Sequence, residues 1–269
     1  MISLFKHHFR HIDGNHKLID PYRIVIHGAI DGYSRLIAYL HASTNNRAAT
    51  VLQLFSSAVE IYYLPSRVRC DLGLENLEVE RYMLQQRAIN RGSVITGTSV
   101  HDQCIERLWR DVNRVIVSQF LNIFLYLESN NVFVPSNEIH LYVLQMVYVD
   151  LVNLALKEFS HQWNSHTIST ETNYSPRQLW VAVMVSQSNS TSTAVQDVLN
   201  LTNYGIDEGG PVPQQQQNYD VFVPQSPINL TDVQVQQVKS HVQTLEDENG
   251  ITQYLVALQM VTAMLAADQ

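Results

Sequence analysis

The chain has 269 residues, enough for one sizeable domain with extensions or for two small ones, and its 45% hydrophobic content suits a globular core. It holds no run of 18 uninterrupted apolar residues, so no membrane span is expected, and the opening MISLFKHHFRH lacks the apolar stretch of a secretory signal. Two cysteines, Cys70 and Cys104, exclude a disulfide framework and point to a reducing compartment, and a net charge of −8 argues against a simple nucleic-acid binder.

In chain order, residues 10–18 read as a strand, ended by the turn signal Asp20-Pro21. Residues 23–31, RIVIHGAID, form a near-continuous apolar strand, and Gly32-Tyr33-Ser34 turns into a third strand at 36–41. Short connections make these three an antiparallel meander. Ala48, Val51, Leu52, Phe55, Val59 and Tyr62 repeat at helical spacing, predicting a helix over 45–63 with Ser43 or Thr44 as its cap. A short strand at 66–71, a helix at 75–89 and a β-branched strand at 92–97 follow. Ser99-Val-His-Asp102 has the capping-box pattern and opens a helix running to about residue 126. The order is βββαβαβα, which predicts an α/β fold with a mixed five-stranded sheet between helices.

A long amphipathic helix is predicted over 137–163, and Pro176 opens a shorter one that carries Leu179 and Trp180. Residues 186–227, with SQSNSTST and PVPQQQQ, read as a low-complexity linker or loosely ordered tail. Two modest helices are expected over 230–245 and 253–265. The expected units are a core over 8–128, a helical extension over 129–185, the linker over 186–227 and an acidic helical tail over 228–269.

Charge follows that division. Residues 1–120 hold 14 Lys+Arg and 11 Asp+Glu, a balance of +3; residues 121–269 hold 3 and 14, a balance of −11. The first part therefore permits phosphate contacts.

Three acids in that part sit where the predicted elements bring them toward one centre: Asp13 on the first strand, Asp71 ending the fourth, and Glu106 in the first turns of the helix after the fifth. Converging carboxylates repel one another, and a hard divalent cation relieves that repulsion. Two such ions about 3.5–4 Å apart clamp the attacking and leaving oxygens of a phosphoryl transfer. Glu106, Arg110 and Arg114 are spaced i, i+4, i+8 on one helix face. The arginines either contact phosphates, or Arg110 pairs with Glu106 on a solvated surface. Leu108 and Trp109 read as core, and the two cysteines as small buried hydrophobes.

Four segments carry a resemblance: His11-Ile-Asp13-Gly-Asn-His16, Ile30-Asp31-Gly-Tyr-Ser34-Arg35, Arg69-Cys-Asp71-Leu-Gly73-Leu-Glu75-Asn76, and residues 99–110 with IERLWRD. Over about residues 8–184 the chain resembles the integrase catalytic core of retroviruses, retrotransposons and related DNA transposons, in the ribonuclease H-like superfamily. HIDGNHKL with IERLWRD is most similar to animal "integrase core domain" proteins thought to be transposon-derived. The 34 residues between Asp71 and Glu106 are about the spacing that family uses.

The resemblance implies that Asp13, Asp71 and Glu106 are catalytic ligands of Mg²⁺ or Mn²⁺, whereas Asp31 orders the turn before Arg35. It implies DNA as partner, with strand cleavage and strand transfer as the reaction, self-association, no small-molecule cofactor and a nuclear location. Arg110, Arg114, Asn15 and His16 are the candidate nucleic-acid contacts. The chain departs from the family pattern at Leu72, where Asn is usual before Gly73. No zinc-binding or helix-turn-helix module is expected before Asp13, and no basic domain after the core. An inactive, domesticated core serving as a nucleic-acid or protein interaction module is the alternative, and so is an α/β domain whose three acids never meet.

Overall fold

The computed structural model describes residues 9–87, 92–96, 103–171, 173–187 and 221–267. Strands β1 (Phe9–Asn15), β2 (Val25–Asp31) and β3 (Ile37–Ser43) form the expected antiparallel meander. Helix α1 (Ala48–Tyr62) leads to β4 (Arg67–Cys70). A 3₁₀ turn (Leu74–Asn76) and α2 (Leu77–Arg87) lead to β5 (Val94–Thr96). β4 and β5 join parallel, giving one mixed five-stranded sheet in the order β3-β2-β1-β4-β5. The two connections that return parallel strands are the helical ones, as parallel pairing requires.

The two faces of the sheet bury different sets of side chains, because successive residues of a strand point to opposite sides. Ile12, Ala29, Val68 and Cys70 pack against Val51 and Phe55 of α1 and Val79 and Met83 of α2. Ile24, Ile26 and Ile30 face the larger core on the other side. That core is built largely from one long helical run and α5. The run comprises α3 (Gln103–Val112), a π-helical segment (Asn113–Val117) and α4 (Ser118–Ser129). α5 spans Glu138–Ser165, with Asn137 accepting from the backbone N–H of Ile139 and His140 as its cap. By length and composition alone α5 is apolar enough to cross a membrane. Here Leu141, Leu144, Tyr148, Val152 and Leu156 bury it in the core instead.

α5 also closes the outer edge of the sheet. Asn153 exchanges two hydrogen bonds with the backbone of Ala42, and Asn164 exchanges two with Ile37. Eleven residues of helix rise about 16.5 Å. Five residues of strand span about the same length, so the two asparagines meet both ends of β3. An edge that would otherwise template pairing with another chain is thereby covered.

Helices α6 (Pro176–Gln187), α7 (Asp232–Val242) and α8 (Ile251–Ala267) complete the described chain. Ser175 and Gln178 cap α6 reciprocally, and Thr231 and Gln234 form the capping box of α7. The last two helices do not stand apart as a tail. Val238, Val242, Tyr254, Ala257 and Val261 belong to the same buried cluster as α4 and α5, and Lys239 pairs with Asp150 of α5 at 2.7 Å. The linker expectation falls largely on residues 188–220, outside the described residues. From Val221 the chain is irregular but attached: Val223 is buried, and Asn46 donates to the Val221 carbonyl.

The expected cap of α1 differs. α1 begins after Arg47 with no side-chain cap, while Asn45 Oδ1 accepts from Arg47 N–H and the Thr50 hydroxyl. The expected capping box at 99–102 lies outside the described residues.

Candidate metal and nucleic-acid site

β1 and β4 run parallel with Phe9 beside Arg67, Arg10 beside Val68 and His11 beside Arg69. Continuing that register by two residues sets Asp13 level with Asp71, one residue past the end of β4. Adjacent strands lie about 4.8 Å apart. Ile12 and Cys70, their neighbours in sequence, point into the α1–α2 core, so Asp13 within β1 faces the opposite side, and Asp71 follows β4 as an exposed residue.

Each aspartate is oriented by hydrogen bonds. Asp13 Oδ1 accepts from the Gly14 N–H at 2.8 Å, and its Oδ2 accepts from the Trp109 indole N–H at 2.8 Å. Asp71 Oδ1 accepts from the Asn76 side-chain amide at 2.7 Å and from the Gly73 N–H at 3.3 Å. The 3₁₀ turn that brings Asn76 back to Asp71 explains why Asn76 is buried.

Glu106 lies on α3, exposed, one turn before Trp109. Among the described residues no three acidic, imidazole or thiol side chains are gathered into a ready metal site. Asp13 and Asp71 each present hard carboxylate oxygens, the donor type that suits Mg²⁺ or Mn²⁺, and Glu106 lies on the helix whose Trp109 bonds Asp13.

A fourth acid, absent from the sequence reading, adds negative potential. Glu80 of α2 accepts from the Cys70 thiol at 3.6 Å, and burial, with the Asp71 charge adding to it, holds its carboxyl above the usual range. Its signal in the sequence was the acidic cluster Glu75, Glu78 and Glu80 just after Asp71.

The candidate nucleic-acid contacts divide. Arg110 and Arg114 are exposed on the Glu106 helix. Arg114 pairs with Asp111 at 3.2 Å. Asn15 is buried, and its amide donates to Asn113 Oδ1 at 2.8 Å, so it holds β1 to the π-helical segment. His16 folds back over the end of β1, where a Cβ on Gly14 would lie 2.8 Å from its Nε2. That nitrogen is buried with no hydrogen-bond partner among the described residues. Burial keeps the imidazole below its ordinary pKa, opposed by the nearby Asp71 charge.

Asp31 takes the expected structural part. Its Oδ1 accepts from the Ser34 N–H and hydroxyl, both at 2.7 Å, closing the turn that ends at Arg35. Cys70 is buried and Cys104 half-buried.

Residues 6–194 match the family model described as the integrase core domain. The chain belongs to the integrase core domain family. Its mixed five-stranded sheet, in the order β3-β2-β1-β4-β5, lies within the matched residues. No curated protein matches it.

Among solved structures it is similar to the HTLV-2 integrase catalytic core domain in complex with magnesium. The trimeric form gives 14% identity and a TM-score of 0.42, over 64% of this chain and 95% of that one. The dimeric form gives 15% and 0.43, over 66% and 99%. The simian T-cell lymphotropic virus intasome bound to PP2A regulatory subunit B56 gamma gives 16% and 0.44, over 66% of this chain and 55% of that one.

Proposed function

We propose that this integrase core is a divalent-metal-dependent polynucleotidyl transferase that cleaves DNA strands and joins them to a target. Two observations support the reading: the parallel β1–β4 register, which extended by two residues brings Asp13 beside Asp71 just past β4, and the hydrogen bond to Asp13 from Trp109 of the helix that bears Glu106. Asp13, Asp71 and Glu106 would hold Mg²⁺ or Mn²⁺, which when bound supplies the Lewis acidity that activates an attacking oxygen and stabilises a leaving one.

The chain's own residues supply position and charge. The hydrogen bonds from Gly14, Trp109, Asn76 and Gly73 fix both aspartates before any ligand arrives, so little reorganisation is left for the reaction step. Arg110 and Arg114, on the Glu106 helix, approach the phosphates beside the scissile bond. His16 lines the cleft between β1 and Asp71. DNA as substrate implies a nuclear location and, with it, self-association to act on two DNA ends together.

The test is cleavage of a DNA duplex with Mn²⁺ by wild type and by Asp71→Asn. The asparagine keeps the Oδ1 that accepts from Asn76, so the variant folds with unchanged thermal stability and loses cleavage. Retained cleavage would overturn the assignment.

A second reading has one observation in its favour. No three-ligand set is gathered among the described residues, which suits a core kept for binding rather than chemistry. DNA binding by wild type with no cleavage in Mn²⁺ would select it.

A further inference from the structure

The structure assigns Trp109 as the positioning residue of the metal site, holding Asp13 for the cation and setting the height of the Glu106 helix. This inference rests on the metal-dependent reading above.

The indole N–H meets Asp13 Oδ2 at 2.8 Å while the Gly14 N–H holds Oδ1, so both ends of the carboxylate are fixed. Trp109 is only 8% exposed, which strengthens the bond electrostatically. An indole is a donor only and carries no charge. It can therefore orient the carboxylate without neutralising it, as an arginine or lysine in that place would. A carboxylate offers about four lone-pair sites, so two such bonds are compatible with metal coordination.

The site is also built around the ring. Gly28 on β2 lies directly opposite Asp13 in the β1–β2 ladder. A Cβ there would fall 2.6 Å from Trp109 Cη2 and 3.0 Å from Cζ2. A side chain at position 28 would therefore displace the indole from Asp13. The glycine lies in a regular strand, so close approach explains it, not a turn.

One turn further along the helix, Asn113 bonds Asn15, two residues beyond Asp13 on β1. Two strand residues span about 6.6 Å, and four helical residues rise about 6 Å. The Asp13–Trp109 and Asn15–Asn113 bonds are thus two rungs of matched spacing. They fix α3 along β1, and with it Glu106, three residues before Trp109 on the same face.

The test is calorimetric titration of Mn²⁺ into the full chain as wild type, Asp71→Asn, Trp109→Phe, and a variant with benzothienylalanine at 109. That last residue keeps the shape of tryptophan with sulfur in place of N–H. Thermal unfolding of each confirms that it is folded. Wild type binds, Asp71→Asn does not, and both 109 variants bind about 10- to 100-fold more weakly, the range typical of lost outer-shell partners. Wild-type affinity in the folded benzothienylalanine variant overturns the role of Trp109 and leaves the metal-dependent reading standing. No Mn²⁺ binding by wild type, with or without a DNA duplex, overturns both.

Discussion

Asn15 and Asn113 face each other across a 2.8 Å hydrogen bond that joins β1 to the first residue of the π-helical segment. The Asn15 Oδ1 also accepts from the Lys17 N–H at 3.1 Å, so the side chain is held at both ends. A π-segment inside an α-helix is uncommon and is frequent at functional sites. Here it follows α3 directly and begins where that helix is fastened beside Asp13. Asn15→Ala removes the amide that donates to Asn113 Oδ1 and should destabilise the fold by about 0.5–1.5 kcal/mol. Urea unfolding measures it, and a double-mutant cycle with Asn113→Ala should show coupling. Unchanged stability with weakened DNA binding would place Asn15 on the nucleic acid instead.

Gly28→Ala inserts a methyl group against the Trp109 ring and Leu40 Cδ2. Overpacking of this kind costs about 1–3 kcal/mol. The variant should melt earlier than wild type and bind Mn²⁺ more weakly, because the ring it displaces is the one that holds Asp13. A variant with lower stability but wild-type Mn²⁺ affinity would separate packing from positioning.

Most of the architecture was legible in the sequence because it follows from periodicity. The β2 run RIVIHGAID is buried at every position from Val25 to Asp31, and the α1 stripe places Val51 and Phe55 inside as its spacing predicts. What was not legible depends on which element faces which. The reading of Trp109 as core was right about burial, but helical spacing cannot say that a strand carboxylate lies against its N–H. Asn15 reads as a candidate nucleic-acid contact, and its bond to Asn113, 98 positions away, was not legible. Residues 228–269 read as an acidic helical tail. Yet Val238, Tyr254 and Val261 recur at helical spacing and fill the core beside α5.

That packing makes a prediction of its own. Tyr254 is fully buried against Tyr148, with ring centroids 6.4 Å apart, and Tyr148 donates its hydroxyl to the Asn249 carbonyl at 3.1 Å. Tyr254→Ala should destabilise the whole chain by about 3–5 kcal/mol, as for other large aromatic deletions. Thermal unfolding followed by separate probes of sheet and helix should shift as one transition. An early separate melting of α7 and α8 with the rest unchanged would restore the tail description.

Stability should also fall in mild acid. His27 is buried, with Nε2 3.2 Å from the Asn45 carbonyl and 2.9 Å from Ser43 Oγ, and burial lowers its pKa to about 4. Burial lowers His16 and His41 in the same direction. A histidine whose folded pKa is depressed binds its proton more readily in the unfolded chain. Its neutral form therefore supports the fold above pH ~6.5, and that support is lost as pH falls toward 4, by up to about 3 kcal/mol for His27. Urea midpoints between pH 7 and 4.5 should drop steadily, and His27→Gln should flatten the dependence. A pH-independent midpoint in wild type would contradict the buried neutral state.

The central claim is that Asp13 and Asp71 are a metal-binding pair completed by Glu106. Crystals grown with Mn²⁺ and a short DNA duplex test it directly through the anomalous signal of the metal. The account predicts a peak between the Asp13 and Asp71 carboxylates, with Glu106 drawn in to complete the ligand set. DNA bound in the cleft with no metal between the two aspartates would contradict it.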